Sequence, residues 1–415
     1  MLNGKKKQGN EIMIELTKNC IDALDKEYGL PLYVFNQEEF VQNYRELEST
    51  FRAIYPKYHI CYSYKTNYTP AICSLVKELG GYAEVVSDME YKLARRLGYE
   101  AEKIVYNGPY KGAVLEEHLL SGGINNIDRI EEAVRICEIA DKHPDVTIRT
   151  GIRVNFDIDA GYTSRFGIDI DKFDQVLDLL NNHGIRIDGL HCHMSRARGL
   201  EPWSLRAKTM LGLVSKYGLF DIDYISLGSG MNGHMDPELK VQFPVVPTYE
   251  EYGEAVVKQF AAYYEGRDNK PILFTEPGTT IVSKYVDFLA KVEGIKEIRG
   301  KEFVLCNCSF HNLGETCQMK NIPMRIFPCG IDQQDVQDAN LVGYTCLEQD
   351  VLYRGYTGKI VVGDYVEFGN VGGYSLVDKP PFIQPNCAMI SLNGTESKLI
   401  KRKETWDDIF GSFVL

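Results

Sequence analysis

The sequence predicts an α/β protein, in which a (β/α)8 barrel of the TIM type is joined to a mostly β second domain. The first observation behind this prediction is that strand-like runs and helix-like segments alternate between residues 58 and 275. Eight parallel βα units of this kind close a barrel. The second observation is a change after Gly278, where short alternating runs separated by glycine-rich turns replace the helical rhythm. That change predicts a mostly β region.

The predicted barrel strands are short apolar or β-branched runs bounded by turn residues. They cover residues 58–64, 82–86, 103–106, 123–126, 147–154, 186–193, 222–227 and 271–275. Helical periodicity predicts helices at residues 37–55, 68–79, 88–98, 128–142, 171–183, 203–217 and 249–265. Barrels of this type carry their chemistry at the carboxyl ends of the strands, so reactive side chains are expected there.

The predicted domain boundaries place residues 34–279 in the barrel and residues 1–33 with 280–415 in the β-domain. In the N-terminal part we predict a helix from Thr17 to Glu27, which Gly29 ends, and a strand from Leu32 to Phe35. The β runs predicted after the barrel are residues 280–290, 291–298, 303–308, 358–362 and 364–368.

Composition limits the partners and the compartment. A formal net charge of -12 argues against nucleic acid and against an anionic membrane surface, since either would favour a basic patch. No long apolar run and no apolar core of a secretion signal are found, which predicts a cytoplasmic protein. Eleven scattered cysteines indicate free thiols. No second pair accompanies Cys306 and Cys308, so no metal is predicted.

A lysine ends the first predicted barrel strand, in the run Tyr62-Ser63-Tyr64-Lys65-Thr66-Asn67. The residues alone leave two interpretations open. A lysine at a strand end commonly lies on the surface, with its stem along apolar groups. In the other interpretation, the flanking tyrosines desolvate the amine and leave part of it neutral, as a nucleophile for imine chemistry.

Three further strand ends carry candidate functional residues. His191-Cys192-His193 ends the sixth strand, and its histidines are either structural or, with a carboxylate such as Glu276, a zinc or iron pair. Gly228-Ser229-Gly230 follows the seventh strand, where backbone amides of barrels often bind phosphate, although any tight turn favours glycine. Glu276-Pro277-Gly278 ends the eighth strand. Either its glutamate places a carboxylate at the barrel opening, or the motif is a common surface turn.

Together with Gly372-Gly373-Tyr374, these motifs occur in an order and spacing that resemble the pyridoxal-phosphate (PLP) dependent decarboxylases of the diaminopimelate and ornithine/arginine decarboxylase family. The resemblance extends from about residue 30 to residue 390. It implies a PLP-binding barrel and a β-domain that contributes to the active site and the dimer interface. It also implies homodimers with shared active sites, and decarboxylation of a small-molecule amino acid, most like diaminopimelate.

The resemblance also implies a role for each motif in cofactor binding. Lys65 would bind PLP covalently and be displaced by the substrate amine. Glu276 would pair with the pyridine nitrogen and keep the ring protonated, so that the ring accepts electrons. His193 would stack on the ring face as a further catalytic residue. The phosphate would be bound by Gly228, Ser229 and Gly230 with Tyr374, and Gly278 completes the predicted cofactor-binding set.

For the substrate, the resemblance implies that Cys346 reaches in from the other subunit as a catalytic proton donor. Asp350 would bind the distal amine of a diamino substrate. The pattern Cys346-Leu347-x-x-Asp350, with His311 and the Met324-Arg325 region, resembles instead the carboxynorspermidine decarboxylases of polyamine biosynthesis. The N-terminal half is more similar to diaminopimelate decarboxylases.

The chain departs from the diaminopimelate decarboxylase pattern near the expected substrate. Thr279 stands where an arginine is usual, and Leu347 stands where a glutamate is common, with Glu348 one place later. Arg196 or Arg198 would supply the missing positive charge. The predicted substrate-binding residues are Thr279, Glu348, Asp350 and Arg196.

Three other functions are open at this point. A PLP-dependent racemase also pairs a barrel with a β-domain, but it would need a catalytic tyrosine where Cys346 is expected. The changes at Thr279 and Leu347 suggest a PLP-binding protein without decarboxylase activity. The histidine pair leaves open a metal-dependent barrel hydrolase.

Overall fold

The computed structural model describes residues 5–8, 11–14, 16–330 and 332–414. The chain divides into two compact units. The barrel unit comprises Arg45–Gly233 and Val245–Thr280, and the β-rich unit comprises His234–Pro244 and the described residues up to Tyr44 and from Ile281 onward. The sequence boundaries assign residues 34–44 and 234–244 to the barrel, whereas packing assigns them to the β-rich unit. Residues 1–4, 9, 10, 15, 331 and 415 of the predicted β-domain lie outside the described residues.

The N-terminal segment contains two strands, a helix, a third strand and a second helix. These are β1 (Lys5–Gln8), β2 (Glu11–Ile14), α1 (Lys18–Tyr28), β3 (Leu32–Asn36) and α2 (Gln37–Ile54). The Thr17 side chain accepts the Cys20 N–H and begins α1, and Gly29, with φ 75°, ends it. The predicted helix and strand are therefore confirmed to within about one residue, less than the usual uncertainty of such boundaries.

The barrel strands are parallel, and all eight predicted strands are confirmed. They are β4 (Tyr58–Ser63), β5 (Tyr82–Val85), β6 (Ile104–Tyr106), β7 (Ile124–Ile127), β8 (Arg149–Asn155), β10 (Arg186–His191), β11 (Tyr224–Ser226) and β12 (Ile272–Thr275), with the short β9 (Ile168–Asp169) added to β8. β12 pairs with β4 and β8 pairs with β10, so the sheet closes on itself. We call the carboxyl ends of these strands the barrel mouth.

Helices follow the barrel strands, as predicted. They are α3 (Pro70–Glu78), α4 (Asp88–Arg96), α5 (Val114–Leu120), α6 (Ile130–Lys142), α7 (Phe173–Asn182), α8 (Leu200–Tyr217), α9 (Pro237–Lys240) in the β-rich unit, α10 (Tyr249–Tyr252), α11 (Lys258–Tyr263) and α12 (Thr279–Val282). A π-helical turn, Gly253–Val257, joins α10 to α11. The sequence did not predict α5, because seven residues are too few to establish a helical period.

Tyr224 of β11 occupies the barrel interior across two glycines. A Cβ atom on Gly189 would lie 2.3 Å from Tyr224 Cζ, and one on Gly151 would lie 2.1 Å from the Tyr224 hydroxyl oxygen. Only glycine leaves room for the ring at these positions of β8 and β10. The Tyr224 hydroxyl donates to Asn126 Oδ1 at 2.8 Å, so the buried ring also satisfies its polar end.

The β-rich unit is built on a mixed sheet, which confirms the mostly β second domain. Its further strands are β13 (Val286–Ile298), β14 (Lys301–Cys306), β15 (Met324–Phe327), β16 (Gln334–Val342), β17 (Val351–Ile360), β18 (Tyr365–Phe368), β19 (Ala388–Asn393) and β20 (Glu396–Lys401). Three short helices, α13 (Phe310–Leu313), α14 (Glu315–Met319) and α15 (Trp406–Phe410), complete it. β3 lies between β13 and β19, so the N-terminal segment supplies an inner strand.

In the described ranges, no helix is both long enough and apolar enough to cross a membrane. All eleven cysteines are unpaired thiols, as predicted. Cys329 and Cys346 are exposed, and the others are buried.

Candidate active site

Lys65 lies at the barrel mouth, in a single 3₁₀ turn (Tyr64–Thr66) that follows β4. Its side chain is 33% exposed, and its Nζ donates a hydrogen bond to Glu84 Oε2 at 2.9 Å. The flanking Tyr62 and Tyr64 are buried, as a desolvating pair would be, but the contact that positions the amine is a carboxylate. A buried carboxylate partner favours the functional interpretation of Lys65 over the surface interpretation.

Glu84, near the end of β5, is a candidate site residue that the sequence analysis missed. It is buried, and it accepts hydrogen bonds from Ser63 Oγ and, at 3.3 Å, from Asn107 Nδ2. Asn107 Oδ1 in turn accepts from Asn126 Nδ2 at 2.7 Å. A chain of oriented amides therefore holds the carboxylate that holds Lys65. Their positions at the ends of predicted strands were the available signal.

Glu276, directly after β12, is a buried carboxylate with both oxygens engaged. Its Oε1 accepts from Ser226 Oγ at 2.7 Å, and its Oε2 lies 3.1 Å from His191 Nε2. Burial alone would raise the pKa of Glu276, but attraction and hydrogen bonding from His191, with the Ser226 hydrogen bond, hold that pKa below its usual range. Glu276 is therefore ionised at neutral pH.

His193 lies just beyond β10 and has a different partner from His191. Its Nδ1 accepts the Ser229 N–H at 3.0 Å, so in a neutral ring the proton is on Nε2. Burial, together with the charges of Lys65 and Arg153, places the pKa of His193 well below its ordinary value. The ring is therefore a neutral, oriented imidazole.

Among the residues that the structure describes, no group of three or more metal-ligating side chains is found.

The glycine loop, Gly228–Gly230, follows β11 with left-handed backbone at both glycines, φ 61° and 96°. A Cβ atom on Gly228 would lie 2.5 Å from the Cys192 carbonyl oxygen, so only glycine fits there. The Glu276 N–H donates to the Gly228 carbonyl at 2.8 Å and ties the loop to the end of β12. Within the described part of the chain, the Gly230 N–H has no hydrogen-bond partner. An open amide at a glycine turn suits an anion.

Gly278 and Thr279 follow Glu276 in the chain. Gly278 is buried against the residue after Lys65, and a Cβ atom on it would lie 1.9 Å from Thr66 Oγ1. Its observed contact is thus with the Lys65 turn. Thr279 is half-buried at the start of α12. It carries no charge and so cannot supply the positive charge of an arginine.

Arg196 is exposed in the loop that follows β10. Its guanidinium lies 5.8 Å from the centre of the Tyr162 ring, and its backbone N–H donates to the Tyr162 hydroxyl at 3.4 Å. Arg198, two residues later, is half-buried, and its carbonyl accepts from the Tyr252 hydroxyl. Of the two arginines predicted to supply positive charge, Arg196 is thus the more accessible.

Cys346, Glu348 and Asp350 lie in the β-rich unit, where they line a cavity of about 610 Å³. Cys346 and Glu348 are exposed, whereas Asp350 is buried. The Asp350 carboxylate accepts from the Phe310 N–H at 2.8 Å and from the Thr345 N–H and hydroxyl at 3.0 and 2.6 Å. These contacts favour a structural role for Asp350 over the predicted contact with substrate.

Tyr374 also lies in the β-rich unit, half-buried and in left-handed backbone, φ 52°. The preceding glycines shape this turn. The Gly372 N–H donates to the Ser283 carbonyl at 2.9 Å, and a Cβ atom on Gly372 would lie 2.0 Å from the Val282 carbonyl oxygen. The predicted site residues therefore form two groups, one in each unit.

Residues 39–283 match the family described as "Pyridoxal-dependent decarboxylase, pyridoxal binding domain", and this match covers more than half of the chain. The chain belongs to the pyridoxal-dependent decarboxylase family. The predicted family is confirmed, and with it PLP as the cofactor and amino-acid decarboxylation as the reaction class.

The decarboxylases to which this chain is similar match it over nearly its whole length. It is 26% identical to the diaminopimelate decarboxylase of Aquifex aeolicus, covering 94% of this chain and 93% of that protein. It is 25% identical to the L-glutamyl-[BtrI acyl-carrier protein] decarboxylase of Niallia circulans, covering 94% and 95%. The crystal structure of diaminopimelate decarboxylase from Methanocaldococcus jannaschii has a TM-score of 0.82 at 24% identity, covering 95% and 94%, which supports the fold.

The barrel-mouth residues of this decarboxylase fit PLP in three respects. Lys65 offers a partly exposed amine for the aldehyde of the cofactor. Glu276 offers an ionised, buried carboxylate for the pyridine nitrogen. The Gly230 N–H is an open donor for the phosphate. The chemistry of these donors and acceptors therefore agrees with the polar groups of the cofactor.

Replacing Gly278 by alanine should destabilise this decarboxylase by about 1–3 kcal/mol, because the new methyl group would overlap Thr66 beside Lys65. Chemical denaturation would measure the loss. Gly212→Ala in α8 is the matched control, since no atom lies within 4 Å of the added Cβ, and we expect a gain of about 0.5–1 kcal/mol. Equal stability of the two variants would contradict the predicted overlap.

Proposed function

We propose that this decarboxylase removes the α-carboxyl group of an amino acid that carries a second charged group, most like diaminopimelate. The observation that carries the proposal is the ionised, buried Glu276, held by His191 and Ser226 at the barrel end where Lys65 also lies. The diaminopimelate decarboxylase of Aquifex aeolicus, similar over nearly the whole chain, supports the substrate class.

Each barrel-mouth residue would have a separate role in the proposed reaction. PLP, when bound, supplies an electron sink for the electron pair left when CO2 departs. Lys65 would hold the cofactor, and its amine when released would remain beside Glu84, which stabilises a proton on Nζ. Glu276, being ionised, would stabilise a proton on the ring nitrogen. His193 would present a neutral ring face without adding charge.

The distal end of the substrate would meet groups from the loops. Arg196 would bind a distal carboxylate in place of the arginine that Thr279 replaces, since its guanidinium is exposed beside Tyr162. Glu348 is the exposed carboxylate of its segment and the better candidate for a distal ammonium than the engaged Asp350. Gly278 and Tyr374 remain proposed cofactor contacts.

A homodimer with shared active sites is part of the proposal. Cys346 would reach the barrel mouth of the partner and donate the proton that replaces CO2. This role of Cys346 is supported by its exposed thiol beside a cavity, whereas nine other cysteines are buried. Unpaired thiols throughout support a reducing compartment, for which we propose the cytoplasm.

Release of CO2 from a panel of diaminopimelate, lysine, ornithine, arginine and carboxynorspermidine tests the substrate. We expect the largest kcat/KM for diaminopimelate. Arg196→Ala should raise KM for diaminopimelate about tenfold, as the loss of a charge-assisted hydrogen bond would, and should leave KM for lysine, which lacks the distal carboxylate, almost unchanged. Equal effects on both substrates would overturn the role of Arg196.

The other outcomes of the panel separate the competing functions. A preference for carboxynorspermidine would favour the alternative substrate suggested by the Cys346-Leu347-x-x-Asp350 pattern, and with it polyamine biosynthesis. Racemisation without CO2 would favour a racemase. Bound PLP with no turnover on any amine would favour a PLP-binding protein without decarboxylase activity.

A further inference from the structure

Arg206 is a fully buried guanidinium between the glycine loop and the loop that follows β10. It lies on α8 and is 0% exposed. Its Nη1 donates to the Ser229 carbonyl at 2.9 Å, and its Nη2 donates to the Met194 and Ala197 carbonyls at 2.6 and 3.0 Å. The guanidinium carbon lies 4.6 Å from the Trp203 ring centre. One side chain therefore binds both loops.

The charge of Arg206 has no counter-ion in the described part of the chain. Its hydrogen bonds all go to backbone carbonyls, and its Nε has no partner. Burial lowers the pKa of the Arg206 guanidinium, yet an arginine in a protein remains protonated. A buried charge is costly unless an opposite charge lies close to it. The surroundings of Arg206 are thus suited to an anion.

The contact with Ser229 also decides where a neighbouring donor points. In a trans peptide the C=O and the following N–H point in opposite directions. Because Arg206 holds the Ser229 carbonyl, the Gly230 N–H of the same peptide is directed away from the guanidinium. That N–H is the one without a partner among the described residues. A charge-assisted bond to the carbonyl also polarises the peptide and strengthens the donor.

We propose that Arg206 is a positioning residue for the PLP phosphate, which it serves through the glycine loop without touching it. It supplies positive charge behind the loop and orients the Gly230 amide toward the anion. Thr279, the residue after the Gly278 turn, supplies no such charge. The side chain at residue 206 therefore sets affinity for the phosphate end of the cofactor and leaves the aldehyde end to Lys65.

Cofactor binding to the full chain, stripped of PLP, tests this role without any need for turnover. Arg206→Met should weaken PLP binding about tenfold or more, as loss of a charge-assisted contact would. Binding of pyridoxal, which has no phosphate, should change less than about threefold, because it engages only Lys65 and the ring contacts. Inorganic phosphate should compete with PLP on the unaltered protein and lose that ability in Arg206→Met.

Arg135→Met is the matched control, because Arg135 also donates to two backbone carbonyls, those of Lys111 and Gly112, both at 2.7 Å. Its PLP affinity should equal that of the unaltered protein. If Arg206→Met does not fold, Arg206→Lys, which keeps the charge, is measured in its place and should lose PLP affinity more than pyridoxal affinity. Equal losses for PLP and pyridoxal, or unchanged PLP affinity, would overturn the proposal. Because binding alone is measured, a wrong substrate assignment leaves the result unaffected.

Discussion

Replacing Lys65 by alanine is expected to remove the visible absorbance of covalently bound PLP and to lower kcat/KM by on the order of a thousandfold or more. The reason is that Lys65 carries the amine at the barrel mouth that is partly exposed and held by a buried carboxylate, Glu84. Absorbance of the purified protein and CO2 release would measure the two effects. A fully active Lys65→Ala protein, without added amine, would refute the site.

Lys57→Ala is the control for Lys65, because it removes a lysine from the opposite end of the same strand. Lys57 precedes β4, and its Nζ donates to the Lys270 carbonyl at 2.8 Å. We expect unchanged absorbance and turnover for Lys57→Ala.

The proposal that the two subunits share active sites is tested with the Lys65→Ala variant. Mixing inactive Lys65→Ala and Cys346→Ala chains should recover up to about a quarter of normal activity, since half of the dimers are mixed and each has one intact site. Verified subunit exchange without recovery would contradict sharing.

Glu276→Gln should retain PLP but lower kcat by about a hundredfold to a thousandfold. Glutamine keeps the shape of the side chain but cannot stabilise a proton on the ring nitrogen, which is the role proposed for the ionised Glu276. Absorbance would report cofactor content and CO2 release would report turnover. Ser226→Ala is the graded comparison. It removes the 2.7 Å hydrogen bond but leaves the carboxylate, so a loss of about tenfold is expected.

The contribution of the Glu276 carboxylate to folding stability should depend on pH. Its pKa in the folded protein lies below the ordinary value of 4.5, so its charge stabilises the fold above about pH 4.5. That contribution is lost as the pH falls further through the folded-state pKa. The stability difference between the unaltered protein and Glu276→Gln should therefore be largest near neutral pH and shrink below pH 4.5. A difference that grows in acid would contradict the lowered pKa.

The sequence was sufficient to predict the barrel and to place the candidate cofactor residues at the ends of its strands, because both depend on local pattern. Each strand is a short apolar run with a turn after it, and Lys65, Glu276 and the glycine loop stand where those runs end. β3 shows the limit of this reasoning. Its apolar run was recognised as a strand, but its place between β13 and β19 depends on pairing with residues about 250 and 350 positions away.

The residues that sequence reasoning missed act through contacts distant in the chain. Glu84 matters because Lys65, from the turn that follows another strand, donates to it. Arg206 lies within a regular helix, and nothing local indicates that carbonyls of two separate loops meet its guanidinium. Asp350 is a third example. The resemblance implied substrate binding by Asp350, and no local pattern indicated that its carboxylate accepts an amide forty residues earlier, that of Phe310.

Tyr224, inside the barrel, connects the barrel interior to the candidate active site. Tyr224 donates to Asn126, Asn126 to Asn107, Asn107 to Glu84, and Glu84 accepts from Lys65. Tyr224, for which Gly151 and Gly189 make room, is thus linked to the Lys65 amine through an uninterrupted series of hydrogen bonds. A larger side chain at either glycine would displace the Tyr224 ring and with it the first hydrogen bond of the series that ends at Lys65, so a substitution in the barrel interior reaches the candidate active site.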